Sequence, residues 1–140
     1  MNKIGENSAD VALILPMIPE MELTATKTAE AVGTFMALDQ DKIDEIKIAL
    51  IEACINAFEH SQSKDGLLKI DFDFEDDALT IVISDRGHGF DVQTIEERRR
   101  RRREKGQRRG WGLTLIHELM DYVDIDSGQN GTTVTMIKRR

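Results

Sequence analysis

The segment from Gln40 to His60 constrains the fold most, because its apolar residues recur at three- and four-residue intervals. Asp39 stands directly before the segment as a candidate N-cap. The sequence therefore predicts one long amphipathic helix that must bury an apolar stripe against another layer of the protein. The stripe consists of Ile43, Ile46, Leu50, Ala53 and Ala57.

After this helix the pattern changes to strict alternation of apolar and polar residues, which is typical of half-buried strands. Residues 67–74 show this alternation, and the β-branched residues of 78–84 predict a second strand. The short acidic connection between the two predicts a hairpin. A short apolar run predicts a strand at 10–17, and two more strands are predicted at 122–126 and 132–138. Apolar residues near the helical period predict a helix at 23–38, and a further helix is predicted at 113–120. The expected fold is α+β, a two-layer sandwich with a mostly antiparallel sheet and the helices on one face.

The bulk composition is that of a globular protein, with 40% hydrophobic and 32% charged residues. A length of 140 residues fits one domain, and residues 1–9 are expected to be a flexible N-terminus. The single cysteine, Cys54, favours a reducing compartment and is expected to be a buried helix residue. No export signal or stretch of membrane-span length is found, so we expect a cytoplasmic protein without a membrane partner.

The charge is unevenly distributed along the chain. Residues 96–109 contain nine Lys or Arg against three Glu, in a chain whose net charge is −7. Six arginines are consecutive, from Arg98 to Arg103. The interpretation favoured for these six is a solvated, partly disordered segment, because like charges at this density repel. Binding of nucleic acid by the run is a minor alternative.

A polar stripe on the long helix is the first candidate for chemistry. Glu52, Asn56 and His60 are spaced four residues apart, so they project from one helical face. An asparagine oxygen beside a carboxylate can hold Mg²⁺ that also contacts substrate phosphates, and a second carboxylate can accept a proton. An ordinary solvated face is an equally good interpretation of the spacing alone.

Two pairs of glycines are the second candidate. Asp85, Gly87 and Gly89 follow a strand, where an aspartate can accept a hydrogen bond from an exocyclic amine and glycines allow close approach to the backbone. Gly110 and Gly112 open the third predicted helix, whose first amides favour a phosphate. Each pattern alone also fits an ordinary turn or hinge.

The order of these motifs resembles the N, G1 and G2 boxes of the GHKL ATPase superfamily. The boxes are E-x-x-x-N-x-x-x-H on a helix, D-x-G-x-G after a strand, G-x-G-L on a helix and G-T-T-V on a strand. The short length of the chain, the motif E-A-x-x-N-A-x-x-H and the closing G-T-T-V-T-M resemble anti-sigma-factor serine/threonine-protein kinases of the RsbW type. The resemblance implies a Bergerat-type ATP-binding fold in which residues 91–109 form a basic ATP lid.

The resemblance also implies roles for individual residues. Glu52 would be the catalytic base and Asn56 the Mg²⁺ ligand, whereas His60 would have a supporting hydrogen-bonding role. Glu59 could supplement or compete with Glu52. The expected ATP-binding residues are Asp85, Gly87, Gly89, Gly110, Gly112, Leu113 and Thr133. Arg108 and Arg109 join them because guanidinium groups beside a triphosphate form charge-assisted hydrogen bonds.

The partners expected from the resemblance are a STAS-domain anti-anti-sigma factor, whose serine is phosphorylated, and a sigma factor. A homodimer formed through the first strand and first helix is expected on the same basis. The alternative is a non-catalytic, ATP-dependent switch that sequesters a sigma factor or other regulator. The presence of Glu52 favours the kinase, whereas the long and unusually basic lid departs from the pattern of that family.

Overall fold

The computed structural model describes residues 9–61, 63, 65–85, 112–128 and 131–140. Five strands and three helices occur in this part of the chain. In chain order they are β1 (Val11–Pro16), α1 (Glu22–Phe35), α2 (Gln40–His60), β2 (Leu67–Phe74), β3 (Ala78–Asp85), α3 (Gly112–Leu119), β4 (Tyr122–Gly128) and β5 (Gly131–Arg139). The predicted elements are all present, and the bounds of α2 and β2 agree with the prediction.

The five strands form one sheet in the order β1-β2-β3-β5-β4, and every neighbouring pair is antiparallel. The last strand in the sequence, β5, therefore lies inside the sheet between β3 and β4. This insertion places Val134 opposite Ile83. The sheet is bordered by β1 on one side and β4 on the other.

The alternation in the strands separates a helix-covered face of the sheet from an open face. Leu68, Ile70 and Phe72 of β2 are fully buried, as are Leu79 and Ile81 of β3. The residues between them are at least partly exposed, since successive side chains of a strand point to opposite faces. The α+β sandwich expected from the sequence is confirmed.

Helices α1 and α2 cover this buried face together with α3, and the predicted stripe of α2 is buried along its length. The two longer helices approach closely at Gly33, where an added Cβ would lie 2.8 Å from Cγ1 of Ile43. Asp39 precedes α2 as predicted, but its side chain makes no capping hydrogen bond. Its backbone carbonyl accepts from the amide of Ile43 instead.

The C-terminal end of α1 closes in a Schellman arrangement. The amide of Leu38 donates to the carbonyl of Gly33 at 3.0 Å, and that of Ala37 donates to Thr34 at 3.0 Å. Ala37 has a φ of 59°, the left-handed conformation that normally selects glycine at this position. Two backbone hydrogen bonds therefore fix the short connection from α1 to α2. They hold Ala37 in a backbone conformation that is disfavoured for a residue with a β-carbon.

Candidate functional site

A cavity lies between α2 and α3 on one side and β3 and β5 on the other. A water-sized molecule can enter about 20 Å³ of it, and the whole space between the lining atoms, including the part open to solvent, is about 340 Å³. Most of its lining is apolar, and polar groups come from Asn56, Asp85 and Thr132. The remaining lining residues are Ala53, Ala57, Ile83, Leu113, Ile116 and Val134. An apolar cleft with a few convergent polar groups is the usual form of a small-molecule site.

Asn56 presents an amide to this cavity from the C-terminal half of α2. Its Nδ2 atom is buried and has no hydrogen-bond partner among the described residues. Burial of an unpaired polar group costs free energy, so such a group in a cleft is suited to a ligand. Since the nitrogen and oxygen of a side-chain amide can exchange places by rotation, either atom of Asn56 can face that ligand.

Asp85 reaches the same cavity from the end of β3. It pairs in register with Leu68 and continues the buried side of the strand, so its carboxylate lies on the helix-covered face and is only 9% exposed. Asp85 is engaged in a polar interaction of its own. A carboxylate held at the rim of an apolar cleft can accept hydrogen bonds from an amine with a defined direction.

The other two residues of the polar stripe lie outside the cavity lining. Glu52 is half-buried and lies one turn before Asn56, which corresponds to about 6 Å along the helix axis. The side chain of His60 is 11% exposed, and its Nε2 lies 3.9 Å from Oε2 of Glu59. The stripe therefore brings only Asn56 into the cavity, and the imidazole of His60 faces the carboxylate of Glu59 at the end of α2.

The start of α3 forms one wall of the cavity. Gly112 is the first residue of this helix, and the next residue, Leu113, is 4% exposed and lines the cavity together with Ile116. The first-turn amides of a helix have no partner within the helix and carry the positive end of its dipole. The beginning of α3 beside the cavity is thus suited to an anionic group.

The β5 threonine that reaches the cavity is Thr132 and not Thr133. Thr132 is 3% exposed, whereas Thr133 is half-buried and lies opposite Ser84 on the open face of the sheet. The reason is the two-residue period of the strand, in which Thr132 shares its face with Val134 and Met136. The same alternation in the sequence could have identified Thr132, because it shares its parity with the apolar residues 134 and 136, which are separated by a polar threonine.

Five predicted ATP-binding residues lie outside the described residues. They are Gly87, Gly89, Arg108, Arg109 and Gly110. Residues 91–109, the predicted basic lid, also lie outside. The predictions for these positions stay predictions.

Among the described residues, no group of three or more His, Cys, Asp or Glu side chains is placed to hold a metal ion. Within the same part of the chain, none of the helices has the length and apolar character of a bilayer span.

Cys54 confirms the expectation of a buried helix cysteine. Its side chain is fully buried and unpaired with any other cysteine. Burial, and to a smaller extent the negative charge of Glu22, raises the pKa of the thiol to about 12. The thiol is therefore protonated at neutral pH and has a packing role rather than a reactive one.

Comparison with known proteins gives a consistent result over most of the chain. The histidine kinase-like ATPase domain family matches residues 18–138. The serine-protein kinase RsbW of Oceanobacillus iheyensis is 32% identical over 135 residues, covering 91% of this chain and 85% of that protein. The anti-sigma F factor of Clostridium beijerinckii is 34% identical over 116 residues, covering 79% and 81% of the two chains.

A solved structure has the same fold. The crystal structure of the RsbU and RsbW domains of Rv1364c from Mycobacterium tuberculosis matches with a TM-score of 0.66 at 21% identity. The match covers 92% of this chain and 31% of that longer chain. The sequence matches and the shared fold agree that this chain belongs to the histidine kinase-like ATPase domain family, and within it to the RsbW and anti-sigma F group.

Proposed function

We propose that this protein is an ATP-dependent serine kinase that also acts as an anti-sigma factor. The observation that carries the proposal is the convergence of Asn56, Asp85 and the start of α3 on one apolar cavity. These groups come from three separate elements, yet they supply what an adenine nucleotide requires: a carboxylate, an amide and a helix N-terminus. The names of the relatives, serine-protein kinase RsbW and anti-sigma F factor, support this activity.

In the proposed complex the adenine occupies the apolar part of the cavity. Asp85 accepts a hydrogen bond from the exocyclic amine of adenine, and Thr132 takes the place near the base that the sequence assigned to Thr133. The phosphates lie toward Gly112 and the first turn of α3. By the family resemblance, Gly87, Gly89 and Gly110 shape the backbone around the nucleotide, and Arg108 and Arg109 pair with its phosphates.

The residues present fit a magnesium ion that is bound mainly through phosphate oxygens. Only the Nδ2 atom of the Asn56 amide is buried without a partner among the described residues, and rotation of the amide would bring Oδ1, the atom that can ligate Mg²⁺, to the same place. A dedicated cluster of carboxylate or histidine ligands is absent from that part of the chain. Mg²⁺ at nucleotide sites typically has this arrangement, with few protein ligands and several waters. When bound, the ion would offset part of the charge on the phosphates.

Glu52 is proposed as the general base. Its carboxylate accepts the proton of a serine hydroxyl while that oxygen bonds to the γ-phosphorus and the bond to the ADP oxygen breaks. The acceptor serine is proposed to belong to a STAS-domain anti-anti-sigma factor. Phosphorylation adds charge to an interface that otherwise contains a neutral hydroxyl, so it would release the STAS partner. The kinase, proposed to be a homodimer, would then be able to bind a sigma factor.

The second candidate function is an ATP-dependent binding switch without phosphotransfer. It is favoured by one observation, the position of Glu52 outside the lining of the cavity. Both candidates require nucleotide binding at Asn56 and Asp85, and they differ only in whether Glu52 participates in a reaction.

Incubation with labelled ATP, Mg²⁺ and candidate STAS proteins tests the two functions. For the kinase we expect label on the STAS protein, a loss of about 100-fold or more in Glu52→Ala, and unchanged nucleotide affinity in that variant. Asp44→Ala is the matched control, since Asp44 is an exposed carboxylate on the same helix. Nucleotide binding without label transfer in the wild type would instead support the switch, and an absence of Mg²⁺-dependent binding would exclude both functions.

A further inference from the structure

Lys138 is a buried cation that the proposed reaction does not use. It lies on β5 at an inward position of the strand and is only 6% exposed. Its Nζ atom donates to the carbonyl of Leu119 at 2.5 Å and lies 3.3 Å from Oε2 of Glu45. One ammonium group thus joins three elements: the strand β5, the end of α3 and the helix α2.

The contact with Leu119 stabilises the C-terminal end of α3. Leu119 is the last residue of this helix, where carbonyls have no amide partner within the helix and carry the negative end of its dipole. A lysine is suited to such an end because its ammonium group donates hydrogen bonds and opposes the dipole. Desolvation of the ammonium is costly, and Glu45 offsets part of this cost through its ion pair.

The opposite end of the same short helix forms a wall of the proposed nucleotide site. Helix α3 has eight residues and is about 12 Å long. Because a helix this short moves as a rigid body, holding Leu119 against α2 also determines where Gly112 and Leu113 lie relative to Asn56. Glu45 and Asn56 belong to the same helix. Through Glu45, Lys138 therefore fixes the position of α3 relative to the helix that carries the proposed metal ligand.

We propose that Lys138 is a positioning residue for the phosphate-binding end of α3. This inference rests on the proposed function, since it assumes that phosphates bind at the start of α3. It predicts that loss of the lysine weakens binding of the phosphates and leaves binding of the nucleoside almost unchanged.

Calorimetry of the full chain with Mg-ATP and with adenosine tests this prediction. In Lys138→Met we expect the Kd for ATP to rise about tenfold through misplacement of the helix, and the Kd for adenosine to change by less than about twofold. Lys138→Arg should restore most of the ATP affinity, because a guanidinium can reach both Leu119 and Glu45. Lys42→Met is the matched control: Lys42 lies on α2 and donates to the carbonyl of Arg139, the next residue of β5.

A second variant guards against a folding defect in Lys138→Met. The side chain of Glu45 is 39% exposed, so Glu45→Gln is expected to fold and to shift ATP affinity in the same direction by a smaller factor. Unchanged ATP affinity in both variants, or an equal loss of affinity for ATP and adenosine, would overturn the inference. In either case ATP binding by the wild type would still support the proposed function. Failure of the wild type to bind ATP would overturn the proposed function itself, and this inference with it.

Discussion

Thr132 and Thr133 are neighbours in the sequence but lie on opposite faces of the sheet. Thr132 is 3% exposed and lines the cavity, whereas Thr133 pairs with Ser84 on the open face. The pair is therefore an internal control for the location of the nucleotide, because one strand carries the same side chain inside and outside the site.

We expect Thr132→Val to weaken ATP binding by about fivefold to tenfold, which corresponds to the loss of one neutral hydrogen bond of roughly 1 kcal/mol. Thr133→Val should leave the affinity unchanged, since its side chain lies on the other face. Calorimetric titration of both variants with Mg-ATP measures the difference. A larger effect at Thr133 than at Thr132 would contradict the site described above.

The carboxylate of Asp85 provides a stronger test of nucleotide recognition. Asp85→Asn replaces an acceptor-only group with an amide of the same shape, and a hydrogen bond to a charged group contributes about 1.5–3 kcal/mol. The expected result is a rise in the Kd for ATP of about tenfold to 100-fold. Asp124→Asn is the control, because Asp124 is an exposed aspartate on β4. Equal affinities of the Asp85 variant and the wild type would remove Asp85 from the site.

The left-handed residue after α1 predicts a stabilising substitution. Ala37 has a φ of 59°, so Ala37→Gly removes a strained β-carbon without altering the two backbone hydrogen bonds of the turn. We expect a gain of about 1 kcal/mol in the free energy of unfolding, less the entropy that glycine adds to the unfolded chain. Urea denaturation measures this change in the free energy of unfolding. Ala31→Gly is the matched comparison, since Ala31 is exposed within α1 and its replacement should cost about 1 kcal/mol.

The thiol of Cys54 predicts a loss of stability in alkali. Its pKa is raised from 9.0 to about 12 in the folded protein, so the folded state retains the proton while the unfolded state loses it. The stabilisation is fully present below pH 9 and declines as the pH rises toward 12, by about 1.4 kcal/mol per pH unit. Urea denaturation of the wild type and of Cys54→Ala under reducing conditions, at pH 8 and pH 10, isolates this contribution. The stability advantage of the wild type should shrink by roughly 1 kcal/mol between the two pH values, and a constant difference would contradict the prediction.

The sequence predicted the elements of the fold well because each has a strong local signal. The stripe of α2 and the alternation of β2 directly report which residues are buried, and their bounds agree with the structure. The order of the strands has no such local signal. The insertion of β5 between β3 and β4 depends on contacts between distant parts of the chain, such as Ile83 with Val134.

The candidate site was predictable where a motif fixes a residue on a regular element. Asn56, Asp85 and Leu113 were predicted from such motifs and meet at one cavity. The motif G-T-T-V does not by itself distinguish Thr132 from Thr133, whereas the alternation of the strand places Thr132 on the inward face and Thr133 on the open face. The alternation of β5 places Lys138 on the same inward face as Thr132, but its role could not be predicted because its partners Glu45 and Leu119 are distant in the chain.

The two borders of the sheet differ in a way that affects how this protein can associate. The β4 border presents two exposed aspartates, Asp124 and Asp126, at alternate positions, whereas β1 contains no charged residue and exposes Ile14. A second strand added alongside β4 would encounter closely spaced carboxylates, and electrostatic repulsion disfavours such pairing. Of the two borders, β1, six residues long, is therefore the less repulsive to an added strand.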